Sequence, residues 1–288
     1  GYQISRIVDR TAINDNFNAT VHGAELEAMW EPVPGLKFNF AGGYEDTRID
    51  NGQSSIDLMD RADVANHPDW MVVKPFVSQS SNCILPVSVV AALLQSGSYA
   101  SQNGTGLSPD GGGINGACSN AYLYDKDPVT ALPYVANPTH TKPDGGGILP
   151  VGYPGFDPLT APNNGEGWAK NLGGNELPNA PHFTTSLSAD YTIPISEDWA
   201  ATAHGDFYWQ SQSWARVFND RPYDKLRGYS NVNLALILTS ASGWQVMGYL
   251  KNVFNATAIT GDFLNSDDSG LTTNVFLTDP RLFGVRVT

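Results

Sequence analysis

The sequence predicts an all-β fold, an antiparallel transmembrane β-barrel. Three observations predict it: strict apolar–polar alternation, aromatic residues at both ends of the apolar face, and connections that alternate short and long. In one stretch Phe183, Thr185, Leu187, Ala189, Tyr191 and Ile193 interleave with Thr184, Ser186, Ser188, Asp190 and Thr192. Strand side chains point to opposite faces with period two, so this stretch has one apolar and one polar face. The next stretch repeats the pattern, with Trp199, Ala201, Ala203, Gly205, Phe207 and Trp209 set against Thr202, His204, Asp206, Tyr208 and Gln210. Trp199 and Trp209 share a face. At about 3.3 Å per residue and a tilt of about 40°, their rings stand about 25 Å apart along the membrane normal, near the height of a lipid-facing band.

Each element follows in order. A first strand is expected over roughly residues 1–9, and Asn14-Asp15-Asn16 reads as a loop. A second strand runs from about Phe17 to Glu31 and ends in the tight turn Pro32-Val33-Pro34-Gly35. A third covers Leu36 to Arg48. Residues 49–180 then form a long, irregular stretch rich in Gly, Pro, Asn and Ser. It holds Pro109-Asp110-Gly111-Gly112-Gly113-Ile114 and its echo at residues 143–148, which read as Gly-rich turns or as a ligand loop. Pro86 to Gln95 reads as a short helix, with Gly97 beyond its end. Four more strands run from about Phe183 to Pro194, Trp199 to Trp214, Tyr229 to Thr239 and Trp244 to Asn255. A last runs from Arg281 to Thr288. This divides the chain into barrel strands at 1–48, a long external loop region at 49–180 and barrel strands at 181–288.

Short turns on one side and long loops on the other are the organisation of an outer-membrane barrel. Trp30, Trp199 and Trp244 abut the tight turns and are expected to form the periplasmic aromatic girdle. Tyr44, Trp209 and Tyr229 lie near the long loops and are expected to form the outer one.

Composition sets bounds on function. The chain has 288 residues, 29 Gly, 19 Pro and 11% aromatic residues, which suits many turns and interface rings. Mean hydropathy is −0.24 and no apolar run of about 18 residues occurs, so no transmembrane helix is expected. A net charge of −13 argues against nucleic acid as a partner. Cys83 and Cys118 suggest a disulfide formed in an oxidising compartment, with the helix stapled between them; two separate thiols are the alternative. His22, His67, His140, His182 and His204 show no metal-ligand spacing, and no nucleophile elbow or P-loop occurs. No enzyme activity, cofactor or metal is therefore expected.

Candidate functional residues fall in two groups. Glu25, Glu27, Asp190, His204, Asp206, Arg281 and Arg286 are expected on the polar, lumen-facing side. Trp168, Tyr122, Tyr124, Tyr153 and Trp214 are candidates for ligand recognition, since loop aromatics can stack on sugars or flat chelates.

From Phe17 onward the chain resembles the C-terminal part of a TonB-dependent outer-membrane receptor. The resemblance rests on Val21-His22-Gly23-Ala24-Glu25-Leu26-Glu27-Ala28 with Trp30-Glu31-Pro32-Val33-Pro34-Gly35-Leu36, on Tyr229-Ser230-Asn231-Val232-Asn233-Leu234, on Leu250-Lys251-Asn252-Val253-Phe254-Asn255, and on residues 279–287. It implies about eight strands of a larger, 22-stranded barrel around a plug domain. It implies import of a scarce nutrient of the ferric siderophore, cobalamin or oligosaccharide class. Its implied partners are outer-membrane lipid, the plug and remaining strands of the same receptor, and the TonB–ExbB–ExbD complex acting through an N-terminal TonB box. The alternative is a complete small barrel serving as a surface adhesin or structural protein, whose interior side chains would fill. A secreted β-sandwich would need a dry face of packed Leu, Ile and Val, which the aromatic-ended faces disfavour.

Overall fold

The computed structural model describes residues 1–8, 11–73, 82–95, 161–264 and 273–288. Its principal feature is a seven-stranded antiparallel sheet. We label its strands β1 (Ala19–Val33), β2 (Leu36–Ile49), β3 (Phe183–Pro194), β4 (Trp199–Gln210), β5 (Tyr229–Ser240), β6 (Gln245–Lys251) and β7 (Leu282–Val287). They lie side by side in chain order, a simple meander. The long outer edges of β1 and β7 pair with no other described strand, so closure into a barrel is not seen among the described residues.

Register follows from the alternating pattern. Phe40 pairs with Leu187, Leu187 with Phe207 and Phe207 with Val232, all apolar. One residue along, Asn39 pairs with Ser188, Ser188 with Asp206 and Asp206 with Asn233, all polar. A slip of one residue would turn every apolar side chain to the polar face, and this opposition holds the register.

The sheet is one layer thick. Of its residues only Thr47, Ile49 and Ser240 are buried, all near strand ends. On the apolar face Leu187 is 41% exposed, Leu234 47% and Phe283 85%. The sheet's own residues build no core over that face.

Connections at the two ends differ. Tight turns join β1 to β2, β3 to β4 and β5 to β6 at one end; residues 50–182, 211–228 and 252–281 connect strands at the other. Gly35 has φ +82, and a Cβ there would come within 2.4 Å of the Thr192 carbonyl oxygen. Only glycine fits that turn without strain. At the loop end of β6, Asn252 is buried at φ +47. Its side-chain amide donates to the carbonyls of Ala256 and Asp279 at 2.9 and 2.8 Å, and its oxygen accepts from the Ala256 N–H at 2.8 Å. Its backbone N–H donates to the Asn233 side chain at 2.9 Å. One residue thus ties the end of β6 to β5 and to the approach to β7.

The remaining described elements group separately. Residues Gly1–Asn18, Gly52–Leu172 and Leu264–Thr273 cluster as one compact unit, and the sheet with its loop-end segments as another. In the first unit Tyr2–Val8 pairs with Thr11–Phe17, Ser54–Ile56 with Ala169–Asn171, and Trp70–Val73 with Cys83–Pro86. Helix α1 (Val87–Gln95) follows, with Pro86 closing the strand before it. Ile56, Val73, Ile84, Leu85, Val89 and Leu172 are buried there. So are Asp57, Asp60 and Arg61. Lys170 Nζ lies 2.8 Å from Asp60, and Arg61 donates to the Glu166 carbonyl at 2.9 Å.

Three features depart from the sequence reading. The first expected strand is not in the large sheet; it forms its own hairpin. Asn14, Asp15 and Asn16, expected as a loop, lie within a strand. The reason is a ladder of polar cross-strand bonds that hydropathy does not register: Gln3 to Asn16 at 2.8 Å, Ser5 to Asn14 at 2.6 Å and Arg6 to Asp15 at 2.7 Å. Finally, β4 stops at Gln210, and Trp214 sits on a separate two-residue strand paired with Lys225–Leu226. Cys83 is buried. Cys118, both Gly-rich repeats, Tyr122, Tyr124 and Tyr153 lie outside the described residues.

Asn252→Ala should lower unfolding stability by about 3 kcal/mol, since it strands buried backbone groups and removes a residue suited to positive φ. Asn252→Gly should recover only part of that loss. Denaturant unfolding of both variants checks this.

Candidate functional site

The polar face of the sheet gathers most of the sequence-predicted residues. Glu25 and Glu27 stand on β1, two apart and so on one side of the strand; Glu27 pairs with Ala41, which pairs with Ser186 and then Tyr208. Small residues here, Ala41, Gly43, Thr184 and Ser186, floor a shallow groove running beside the two glutamates and Tyr208. Asp190, His204 and Asp206 lie toward the centre. His204 Nδ1 is 2.7 Å from Asp190 Oδ1, and its Nε2 is 3.7 Å from Asp206 Oδ2. Asp206 in turn accepts from Asn233 at 2.9 Å. Arg286 pairs with Met247 at the turn end of this face. Arg281 precedes β7; its N–H donates to Asn255 Oδ1 at 2.9 Å.

Such a face is wettable and charged, yet only partly self-satisfied. His204 and Asp190 are each about a third exposed, at 32% and 34%. Thr192 and Thr202 bond at 2.8 Å, and Asn39 donates to Ser188 at 3.2 Å. The arrangement can hydrogen-bond water or a polar partner over its whole width. It holds no nucleophile set beside a base, and among the described residues no group of three His, Cys, Asp or Glu side chains could hold a metal.

The opposite face is bounded by aromatics. Trp30, Trp199 and Trp244 stand at the turn end, and Trp30 stacks on Phe38 at 5.7 Å. Tyr44, Phe183 and Trp209 stand at the loop end, with Tyr44 5.1 Å from Phe183. Tyr229, expected in that outer girdle, is on the polar face instead. It pairs with Gln210 and lies 6.0 Å from the Tyr208 ring. Counting parity back from Asn231 and Asn233 would have placed it there. Phe183 takes its position in the girdle.

The two described ligand candidates belong to different units. Trp168 stacks on His67 at 3.6 Å, nearly parallel, with Trp70 edge-on at 5.9 Å. Trp214 has Lys225 Nζ 5.5 Å from its ring centre, and its carbonyl accepts from Asn179 at 2.7 Å. Sequence reasoning named both tryptophans but could not see His67 or Lys225 as their neighbours. It also missed Asn175 and Asn219, which stitch the segment after Leu172 to the 211–228 connection. Asn175 donates to the Val217 carbonyl at 2.8 Å, and Asn219 Oδ1 accepts from the Glu176 N–H at 2.7 Å.

No protein-family model matches the chain, and no curated protein does. Among solved structures it is similar to the ferric yersiniabactin uptake receptor FyuA from Yersinia pestis, at 11% identity and TM-score 0.45, over 93% of this chain and 23% of that one. It is also similar to the siderophore receptor PiuA from Acinetobacter baumannii, at 9% identity and TM-score 0.47, over 99% of this chain and 23% of that one. A third is BauA, the ferric preacinetobactin receptor of Acinetobacter baumannii, at 10% identity and TM-score 0.33, over 96% of this chain and 26% of that one. The chain thus spans about a quarter of the length of each.

A double-mutant cycle on Asp190→Asn and His204→Gln should give a coupling of about 0.5 to 1 kcal/mol, the range for a pair this exposed. The cycle is read from unfolding free energies.

Proposed function

We propose that this chain forms part of the barrel wall of a TonB-dependent outer-membrane receptor that imports a scarce nutrient. One observation carries the reading: a single-layer sheet whose apolar face is exposed between two aromatic rows while its other face is polar. In water such a face would be an aggregation site. Against hydrocarbon it is stable, because strands expose no backbone polar group once the sheet closes. The tight-turn end is then periplasmic and the long-connection end external.

Four resembling segments support the family reading, because all belong to this sheet. Val21–Leu36 covers most of β1, the tight turn and the first residue of β2, and Tyr229–Leu234 opens β5. Leu250–Asn255 carries the Asn252 turn, and residues 279–287 deliver β7. The outer edges of β1 and β7 pair with no other described strand, so closing a barrel would take strands beyond those described, and a polar face this wide suits a lumen filled by a plug domain. Substrate of the ferric siderophore, cobalamin or oligosaccharide class would meet the external side, where Trp168 and Trp214 are its candidate contacts with Tyr122, Tyr124 and Tyr153. Coupling to TonB–ExbB–ExbD would act through the plug. A Cys83–Cys118 bridge would form in the oxidising periplasm. The chain carries out transport and no bond-making chemistry.

Leu234 lies near mid-height on the apolar face, opposite Gly205. Leu234→Arg should cost the full-length protein about 2–4 kcal/mol of folding stability in lipid vesicles. Ser188→Arg, on the polar face, should cost far less. Equal costs would remove the membrane assignment. If Trp168→Ala and Trp214→Ala together leave nutrient uptake unchanged, those residues lose their role while the wall assignment stands.

A further inference from the structure

At the loop end of the sheet, just outside the Tyr44–Phe183 girdle, the chain returns from its long connection through Gly173–Pro181 and enters β3 at His182. The imidazole there faces two acceptors. Nδ1 is 2.9 Å from the backbone carbonyl oxygen of Glu45, and Nε2 is 3.1 Å from Glu176 Oε1. A carbonyl oxygen cannot donate, and an ionised carboxylate cannot either. A neutral imidazole has one N–H and can satisfy one of them; the imidazolium satisfies both.

We propose that His182 is a proton-operated clasp that fastens the returning limb of the long connection onto β2. Protonated, it bridges Glu176 on the limb to Glu45 on the strand. Neutral, it must release one of them.

The surrounding charges favour the closed form. From β2, Asp46 Oδ1 lies 3.7 Å from Nδ1, and the Tyr44 ring stacks at 6.4 Å. Arg48 bonds Asp46 at 2.8 Å and reaches Glu176 at 3.3 Å. From β1, His22 Nε2 is 3.7 Å from Asp46 Oδ2. Two carboxylates therefore attend the ring against one guanidinium, itself neutralised by both of them. The Glu176 hydrogen bond raises the His182 pKa above its ordinary value, against an opposing effect of burial. A raised pKa means that the clasp contributes its full stabilisation below the ordinary histidine range, and that this is lost as pH rises through the raised value.

Deprotonation would loosen the limb without unfolding it. Gly174 donates to the Ile49 carbonyl at 2.8 Å, Ile49 to the Asn175 carbonyl at 2.9 Å, and Leu177 to Thr47 Oγ1 at 2.9 Å. Those bonds do not depend on pH. The affected stretch is Glu176 to His182, next to the contacts that hold the 211–228 connection. This inference does not rest on the membrane reading.

Amide hydrogen exchange of the full chain tests it, with rates corrected for intrinsic pH dependence and the β3–β4 amides as internal reference. Protection of residues 176–182 should fall about three- to tenfold between pH 5.5 and 8.5. In His182→Gln it should be flat with pH. A flat wild type, or an undiminished pH dependence in the variant, overturns the proposal. Should His182→Gln fold poorly, Glu176→Gln serves: the His182 titration midpoint, read by NMR, should drop. A midpoint that stays put also overturns it.

Discussion

A sheet one layer thick has no interior, and that constraint governs the rest of this structure. Its backbone ladders are complete except at two edges, but its own strands supply no second layer to cover either face. Hydrophobic burial, the main favourable term in folding, must then come from what lies outside the sheet. Two faces of opposite character need two different media. The apolar residues between Trp199 and Trp209 and the polar row from Asn39 to Asn233 are two halves of one requirement. Strict alternation is its visible form in the chain.

Where alternation was strict, the fold was legible. β3 was read with both ends and its faces correct; β4 was read with its start and faces correct, but its end was placed at Trp214, four residues past Gln210, where the alternation gives way to a loop. Tyr229 shows the limit: the strand was found, but its first residue was assigned by nearness to a loop rather than by parity. The hairpin of Tyr2–Val8 with Thr11–Phe17 shows another. Its stability comes from paired Asn, Asp, Gln and Arg side chains, and a polar run with no apolar partner reads as loop. Asn252 was quoted only as part of a segment. Its hydrogen bonds reach Asp279 and Ala256, which no local pattern links to it.

The candidate site was less legible than the fold, for a related reason. Polar-face residues such as Asp190, His204 and Asp206 inherit their position from strand period, so the sequence places them. Loop residues do not. Trp168 meets His67, and Lys225 meets Trp214, through folding of the connections, and nothing periodic encodes those contacts. The Asn175 and Asn219 stitching belongs to the same class. It makes the 173–179 limb and the 211–228 connection one hydrogen-bonded layer, so Trp214 is held by a framework and not presented on a free loop.

The outer edges of β1 and β7, which pair with no other described strand, bear on how such a sheet is assembled. Along the fifteen residues of β1, the backbone N–H and C=O groups of alternate residues point to this outer edge, a template that another strand can extend. Two of its three carboxylates, Glu25 and Glu27, stand on one side of the ribbon and leave the seam itself open. A polypeptide with such seams sticks to its own kind when concentrated alone. What comes to lie against those seams therefore matters as much to the yield of folded protein as the strength of any single contact.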